Sequence, residues 1–313
     1  MSMQGIHIVA TGTALPRKVV TNDDLSRIVD TSDEWIQTRT GICQRYYCEE
    51  ETGVTLAAEA AGKALEKAGI DRNEVGVIMV ATSTAEYSFP STACLVQKAL
   101  ELPTEVIAFD VSAACAGFLY GLNICRGLLQ SGNKKYALLI GSEQLSRLID
   151  FKDRASCILF GDGAGAAVLE LSDAPFWHRA WADGDAGPLW GKGPGYDNAK
   201  IRMDGREVFK FAVRVLKQGI DAILEDSGMS MEDIDYVLCH QANKRIIEHV
   251  SKKYPDCEDK FYTNIAQYGN TSAASIPILI NEMTEKGLLK EGMKVIAVGF
   301  GAGFTWSSAL LTI

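Results

Sequence analysis

Two hydrophobic rhythms alternate along this chain, and its second part repeats the order set by the first. Val75-Gly76-Val77-Ile78-Met79-Val80 and Val106-Ile107-Ala108-Phe109 are short apolar runs with the length and residue types of buried strands. Leu56 to Ala68, Ser91 to Leu100 and Leu119 to Leu129 carry apolar residues at helical spacing. Leu56 to Ala68 leads through Asp71-Arg72-Asn73-Glu74 to the Val75 strand. In the same way Glu207 to Asp226 leads through Met231-Glu232-Asp233 to Ile234-Asp235-Tyr236-Val237-Leu238-Cys239. A helix follows each strand, Ser91 to Leu100 and Ala242 to Lys253. Strand, tight turn and helix come next, in Val106 to Leu129 and in Lys260 to Lys286. Each part closes on paired strands, Tyr136 to Gly141 with Ala164 to Leu169, and Lys294 to Gly299 with Ser307 to Leu311.

Alternating strands and helices predict parallel sheets covered by helices on both faces. Two copies predict an α/β fold of five layers, α-β-α-β-α, made of duplicated halves 1–172 and 173–313. Residues 174 to 206, rich in Gly, Trp, Asp and Pro, read as an irregular connection and the wall of a site.

Composition narrows the possible functions. The 313 residues are 47% hydrophobic and 23% charged, which suits an ordinary globular protein. Charge and glycine break every apolar run, so no membrane span is expected. The start, Met1 to His7, lacks the basic head and apolar core of a signal peptide. Eight cysteines without an export signal suggest free thiols in a reducing cytoplasm. No Cys-x-x-Cys occurs and no ligand set for a metal stands out. A net charge of −9 without a long basic run argues against nucleic-acid binding.

Cys115 stands at the turn between the Val106 strand and the Leu119 helix, among small side chains. At the first turn of a helix, unpaired N–H groups and the positive end of the dipole favour a thiolate, the form of cysteine that attacks carbon. Taken alone, Cys115 fits a small buried packing residue better than a reactive one. The matching turn of the second half contains Asn270, and the strand before it ends at Cys239-His240-Gln241. His240 alone suits a structural histidine, and Asn270 beside Gly269 suits a turn or cap. If the halves pack about a pseudo-twofold, these strand ends converge and place Cys115, His240 and Asn270 in one crevice.

Six ordered motifs surround these residues: Asp33-Glu34-Trp35-Ile36 with Thr38-Arg39-Thr40-Gly41-Ile42, Ala113-Ala114-Cys115-Ala116-Gly117-Phe118, Phe160-Gly161-Asp162-Gly163-Ala164-Gly165-Ala166, His240-Gln241-Ala242-Asn243, Tyr268-Gly269-Asn270-Thr271-Ser272-Ala273-Ala274 and Gly299-Phe300-Gly301-Ala302-Gly303-Phe304-Thr305-Trp306. With them the chain resembles the β-ketoacyl-acyl carrier protein synthase III family of thiolase-fold condensing enzymes. The resemblance implies a homodimeric thiolase-like fold with Cys115, His240 and Asn270 as catalytic triad. It implies a decarboxylative Claisen condensation of an acyl-CoA primer, acetyl-CoA or similar, with malonyl-acyl carrier protein. The acyl group would ride on Cys115 as a thioester, and the reaction would initiate fatty acid synthesis. CoA enters as a substrate, and no cofactor or metal is implied.

The same resemblance implies an oxyanion hole from the N–H groups of Cys115 and Gly303. It implies CoA contacts from Trp35, Arg39, Arg154 and Asn243, and carrier-protein contact over Gln241, Ala242, Asn243, Lys244 and Arg245. Lys210 and Lys252 would join the last two in a basic face toward an acidic carrier. Phe89, Leu145 and Ile201 are expected near the acyl pocket, Phe89 reaching into the partner subunit. The 182 to 203 connection, with Gly187-Pro188-Leu189-Trp190-Gly191-Lys192-Gly193-Pro194, departs from the family pattern. Gly161-Asp162-Gly163-Ala164-Gly165 lacks the Lys-Ser/Thr of a nucleotide loop. Three alternatives stand beside this reading: a synthase homologue serving a secondary-metabolite or polyketide pathway, a papain-like cysteine hydrolase with the same Cys, His, Asn order, and a duplicated binding protein without chemistry.

Overall fold

The structure, a computed structural model, describes residues 4–185, 187–192 and 200–313. Two sheets lie between three layers of helix. The first runs Gly5–Ala14, Gly163–Ser172, Tyr136–Glu143, Val75–Ala81, Ile107–Val111, with antiparallel pairs at the first two joints and parallel pairs at the last two. The second runs Tyr236–Cys239, Lys294–Gly301, Thr305–Thr312, Trp177–Ala182, parallel at the first joint and antiparallel after it. Strand for strand, the second sheet repeats the central order of the first. Its counterpart of Ile107–Val111 is reduced to one parallel bridge between Val237 and Phe261. The strand expected after Lys260 therefore does not form. Only four residues separate Lys260 from the helix Ile265–Tyr268, and the last of them, Asn264, gives its N–H to the Gln241 side chain at 3.0 Å.

Period-2 alternation sorts the strands between layers. Val77 and Met79 point into the middle layer while Ile78 and Val80 point outward, and Val295 and Ala297 alternate with Ile296 and Val298 in the same way. The middle layer holds the helices Gly117–Ser131 and Ser275–Glu285, which touch both sheets. The outer layer on the first sheet is Gly53–Ala68 and Thr92–Ala99, and on the second Gly205–Ser227 and Lys244–Ser251.

Local signals fix these helices. Gly53–Ala68 begins at a Thr52 capping box and ends at Gly69 in the left-handed region, while Asp204 and Gly228 bound Gly205–Ser227. The inward face of Gly53–Ala68 is Ala57, Ala60, Ala61 and Ala64, which lets the helix lie close on the sheet. A Cβ on Gly12 would stand 2.3 Å from the Ala60 carbonyl oxygen, so that strand position needs glycine. Phe118 and Leu122 fill the middle layer, each contributing about 1.5–3 kcal/mol by burial.

Two parts differ from expectation. Within 174–206, Trp177–Ala182 is a regular edge strand, and Leu189–Trp190 pairs with Arg202–Met203. Gly193 and Pro194 of the unusual connection lie outside the described residues, as do Met1 to Met3. A cap against the helices Ile265–Tyr268 and Lys244–Ser251, built from the hairpin Lys18–Thr21 with Gln44–Tyr47 and the helices Asn22–Ser26 and Asp33–Thr40, gives no clear periodic signal in sequence.

Candidate active site

Cys115 lies in the short turn Ala114–Ala116 between Ile107–Val111 and the helix Gly117–Ser131, as its neighbours predict. The turn is tight enough to hold Ala114 at φ +46°. Burial pushes the thiol up to about 12, a bond with the Ser272 hydroxyl lowers it, and the nearby Glu143 charge raises it further. A helix start contributes about 0.3–1 kcal/mol to a thiolate, and desolvation outweighs it.

His240 follows the strand Tyr236–Cys239 directly and is buried against the edge of Phe300, ring centroids 5.7 Å apart. Burial pushes its imidazole down to about 3, so it is neutral near pH 7. Its Nδ1 lies 2.7 Å from Ser275 Oγ. That oxygen also accepts the Gln241 N–H at 3.4 Å; when the serine hydrogen turns to Nδ1, the imidazole proton stands on Nε2.

Asn270 follows Gly269, whose φ of +67° turns the chain after Ile265–Tyr268. Its N–H donates to Leu159 O at 2.9 Å, and its carbonyl accepts the Gly161 N–H at 3.0 Å. Its Oδ1 accepts the Ser272 N–H at 2.9 Å, leaving the amide NH2 as the group free for a ligand. The fully buried Arg45 supports this pairing from behind, donating to Ile158 O and Asn22 Oδ1 at 2.7 Å each.

All three side chains line one cavity of about 400 Å³, with Phe300 and Gly301 at the same end and Trp35, Arg39 and Asn243 toward the other. A second cavity of about 800 Å³ opens beyond the sulfur and is lined by Leu145, Ile201, Ser272 and Gly303. Cys115, Phe160 and Leu189 border both, so the thiol sits where the two meet. Of the residues expected near an acyl chain, Leu145 and Ile201 line this second space. Phe89 does not, being 86% exposed on the surface.

The glycine set against the Cys115 backbone is Gly301, where a Cβ would stand 2.5 Å from Cys115 N. A Cβ on Gly303 would meet only Thr305 atoms, so Gly303 lies a step further along the same turn. At the outer end the Arg154 and Arg39 guanidiniums lie 4.6 and 5.8 Å from the Trp35 ring centroid. Asn243 caps the helix Lys244–Ser251, and its Nδ2 donates to Arg39 O at 3.1 Å, fastening that helix to the cap.

The expected carrier-protein segment divides. Gln241 is buried, its amide donating to Cys239 O and accepting the N–H groups of Asn264 and Ile265. Ala242 is buried in the cavity wall. Neither side chain reaches a surface partner, because the loop before Asn270 needs Gln241 as its acceptor. Lys244, Arg245, Lys210 and Lys252 are exposed. Ser272, Ser275, Glu143 and Gly301 escaped sequence reading. Glu143 carried one signal, a carboxylate closing the apolar strand Tyr136–Glu143.

The five-layered arrangement is the thiolase-like fold implied by the motifs, and it sets aside a papain-like hydrolase. A model of the 3-oxoacyl-[acyl-carrier-protein] synthase III family matches residues 109–182, and a model of that family's C-terminal region matches 224–313. The β-ketoacyl-[acyl-carrier-protein] synthase III of Clostridium tetani is 46% identical, with 99% of each chain covered. That of Acholeplasma laidlawii is also 46% identical, with 98% of each covered. The crystal structure of the synthase III from Aquifex aeolicus superposes with a TM-score of 0.94 at 44% identity, covering 99% of this chain and 100% of that one. A priming β-ketosynthase of the R1128 polyketide pathway has a TM-score of 0.92 at 31% identity, covering 99% of this chain and 97% of that one. The chain belongs to the β-ketoacyl-[acyl-carrier-protein] synthase III family.

Proposed function

We propose that this protein joins an acyl-CoA primer to malonyl-acyl carrier protein, releasing CO2 and CoA and giving the β-ketoacyl-acyl carrier protein that begins fatty acid synthesis. One observation carries the reading: Cys115, His240 and Asn270, far apart in sequence, line one cavity, and Cys115 also borders the second. The curated relatives named as synthase III support fatty acid synthesis over the polyketide alternative.

Cys115 takes the acyl group from CoA, since a thiol is nucleophilic and leaves about as readily as the thiol it replaces. Decarboxylation of the malonyl group puts charge on its thioester oxygen. His240 Nε2–H and the Asn270 amide NH2 are the two donors suited to hold that charge, and a neutral imidazole can donate without first taking a proton. The carbanion then attacks the acyl carbonyl. The Cys115 N–H holds the new oxyanion together with an N–H of the Gly301–Gly303 turn, for which Gly303 is the sequence expectation and Gly301 the closer neighbour.

Trp35, Arg39 and Arg154 suit the adenine and phosphates of CoA, Trp35 by stacking and the arginines by their guanidiniums. Asn243 suits the pantetheine amide. Lys244, Arg245, Lys210 and Lys252 suit an acidic carrier protein. Leu145 and Ile201 suit the acyl chain. The reaction needs no cofactor or metal, because CoA is consumed as a substrate.

A homodimer suits the edge strand Ile107–Val111, which leaves one side of the first sheet unpaired and Ile107 49% exposed. Phe89 would then reach the partner's acyl pocket. The halves divide at 172/173, between the last strand of the first sheet and the first of the second. No described helix is long and apolar enough to cross a membrane, and eight free cysteines suit a reducing cytoplasm.

The test is release of CO2 from malonyl-acyl carrier protein in the presence of acyl-CoA. His240→Ala and Asn270→Ala should each lower it by about 10²–10³-fold. Wild-type rates in both variants would contradict the assignment.

A further inference from the structure

Glu143 closes the strand Tyr136–Glu143 and borders neither cavity, yet its carboxyl group is fully buried. Such burial is unfavourable unless every oxygen is bonded, so what those bonds hold is informative. Its two oxygens hold different parts of the chain. Oε2 accepts the Thr84 hydroxyl at 2.7 Å, the Ser83 N–H at 3.1 Å and the Thr82 hydroxyl at 3.3 Å, all from the segment that follows the strand Val75–Ala81. Oε1 accepts one bond, from the Ser272 hydroxyl at 2.9 Å, and the two residues are 129 apart in sequence. Three bonds to one short segment fix the carboxylate, and the fourth ties Ser272 to it.

Ser272 needs such a tie. Its φ of +50° is a left-handed conformation that disfavours any residue with a Cβ. A hydrogen bond to a carboxylate is among the stronger kinds and offsets that strain. Held this way, Ser272 gives its N–H to Asn270 Oδ1 at 2.9 Å. Among the described residues this is the only hydrogen bond of the Asn270 side chain, while its backbone is fixed separately on Leu159 and Gly161. One N–H therefore decides which end of the amide faces the cavity shared with His240. With Oδ1 turned to Ser272, the NH2 is left for the cavity. Turned about, the amide would set a lone-pair oxygen against any oxyanion there.

We propose that Glu143 and Ser272 are positioning residues for Asn270. The carboxylate holds the Ser272 hydroxyl, the Ser272 N–H holds Asn270 Oδ1, and the amide NH2 is thereby kept toward the malonyl thioester oxygen as decarboxylation charges it. The proposal rests on the role given to Asn270 under the proposed function. Neither residue touches that oxygen, since Glu143 borders no cavity and Ser272 lines only the larger one. Without the tie, Ser272 relaxes out of the left-handed region, its N–H moves away, and the amide is free to turn. The step that uses the amide slows. Affinity for malonyl-acyl carrier protein, set by contacts elsewhere, does not change.

Ser272→Ala removes the hydroxyl and keeps the N–H, and Glu143→Ala removes the partner of that hydroxyl. Each variant is first charged to completion with acetyl-CoA, isobutyryl-CoA or hexanoyl-CoA, as read by intact mass, so that the speed of acylation does not enter. Malonyl-acyl carrier protein is then added over a range of concentrations, and CO2 release is followed through a single turnover. The saturating rate should fall about 10- to 100-fold in both variants, while the half-saturating concentration stays within about twofold of wild type. In an Asn270→Ala background neither substitution should cost more than about twofold further, because the amide they orient is gone. Ser272→Ala carries the test should Glu143→Ala fail to fold.

Wild-type CO2 release by charged Ser272→Ala overturns the proposal. So does a loss that recurs in full on the Asn270→Ala background, which marks a structural role. A Ser272→Ala enzyme that takes no acyl group places the task of the hydroxyl at the sulfur and overturns it as well. Glu143→Ala at the wild-type rate beside a slow Ser272→Ala overturns the part given to Glu143. A wild-type enzyme that takes no acyl group from any of these donors, or Asn270→Ala releasing CO2 at the wild-type rate, overturns the underlying function instead.

Discussion

Gly301→Ala probes how closely the two halves must meet at the nucleophile. The new Cβ would stand 2.5 Å from Cys115 N and 2.8 Å from Ala114 Cβ. Both are parts of the nucleophile turn itself, so no flexible side chain can swing away. Ordinary contact begins near 3.4 Å, so the turn must retreat by about 0.9 Å, comparable to the ~1 Å misplacement that costs on the order of 10²-fold in rate. The Cys115 N–H moves with it, and losing one oxyanion donor alone costs about 10²–10³-fold, or 2.7–4 kcal/mol. Overpacking at this buried strand end should also lower stability by about 1–3 kcal/mol. Gly228→Ala is the control. It forces a side chain onto φ +67° with no neighbour in reach, for a stability loss of about 1–2 kcal/mol far from the site. The assay is single-turnover acylation by intact mass, beside a denaturant titration of both variants. Gly301→Ala should acylate at least about a hundredfold more slowly and Gly228→Ala at the wild-type rate. Acylation by Gly301→Ala within twofold of wild type would refute the close approach as a requirement of the chemistry.

Two further outcomes follow from the surface and the buried histidines. Reversing charge at Arg245 and Lys252 together should raise the KM for malonyl-acyl carrier protein about tenfold at low salt and leave that for acyl-CoA nearly unchanged; equal effects on both would refute a carrier face there. Burial pushes His178 down to about 4 and His240 to about 3, from an ordinary value of 6.5. Between pH 6.5 and 4 the unfolded chain therefore binds more protons, and stability falls as pH falls, by up to about 1.4 kcal/mol per pH unit for each histidine. His178→Gln should remove one such share, about 2 kcal/mol between pH 6.5 and 5, read as a smaller shift in denaturant midpoint. An acid-side slope equal to wild type would contradict a neutral buried His178.

The fold was readable because the two periods alternate in the same order twice. The convergence of Cys115, His240 and Asn270 followed from matching turn to turn. What resisted reading was set by contacts distant in sequence. Gln241 looks like a surface residue after a strand, yet it is drawn inside to accept the N–H groups of Asn264 and Ile265. The same demand shortens the fifth strand of the second sheet to a single bridge. Ser272 and Ser275 begin helical turns, where serine is ordinarily a cap, and only the fold shows them bonded to Glu143 and His240. Cys115 was read as a thiolate from its place at a helix start. That place is correct, and burial there opposes the helix start by pushing the thiol up, an effect the local sequence does not display.

The central claim is that Cys115 carries the acyl group between the two substrates. Incubation with acyl-CoA, followed by intact mass before and after malonyl-acyl carrier protein is added, tests it directly. The account predicts one acyl adduct per chain, absent in Cys115→Ala, that disappears on addition of malonyl-acyl carrier protein as β-ketoacyl-acyl carrier protein and CO2 appear in equal amount. An adduct that survives Cys115→Ala, or one that is discharged only by water, would contradict it.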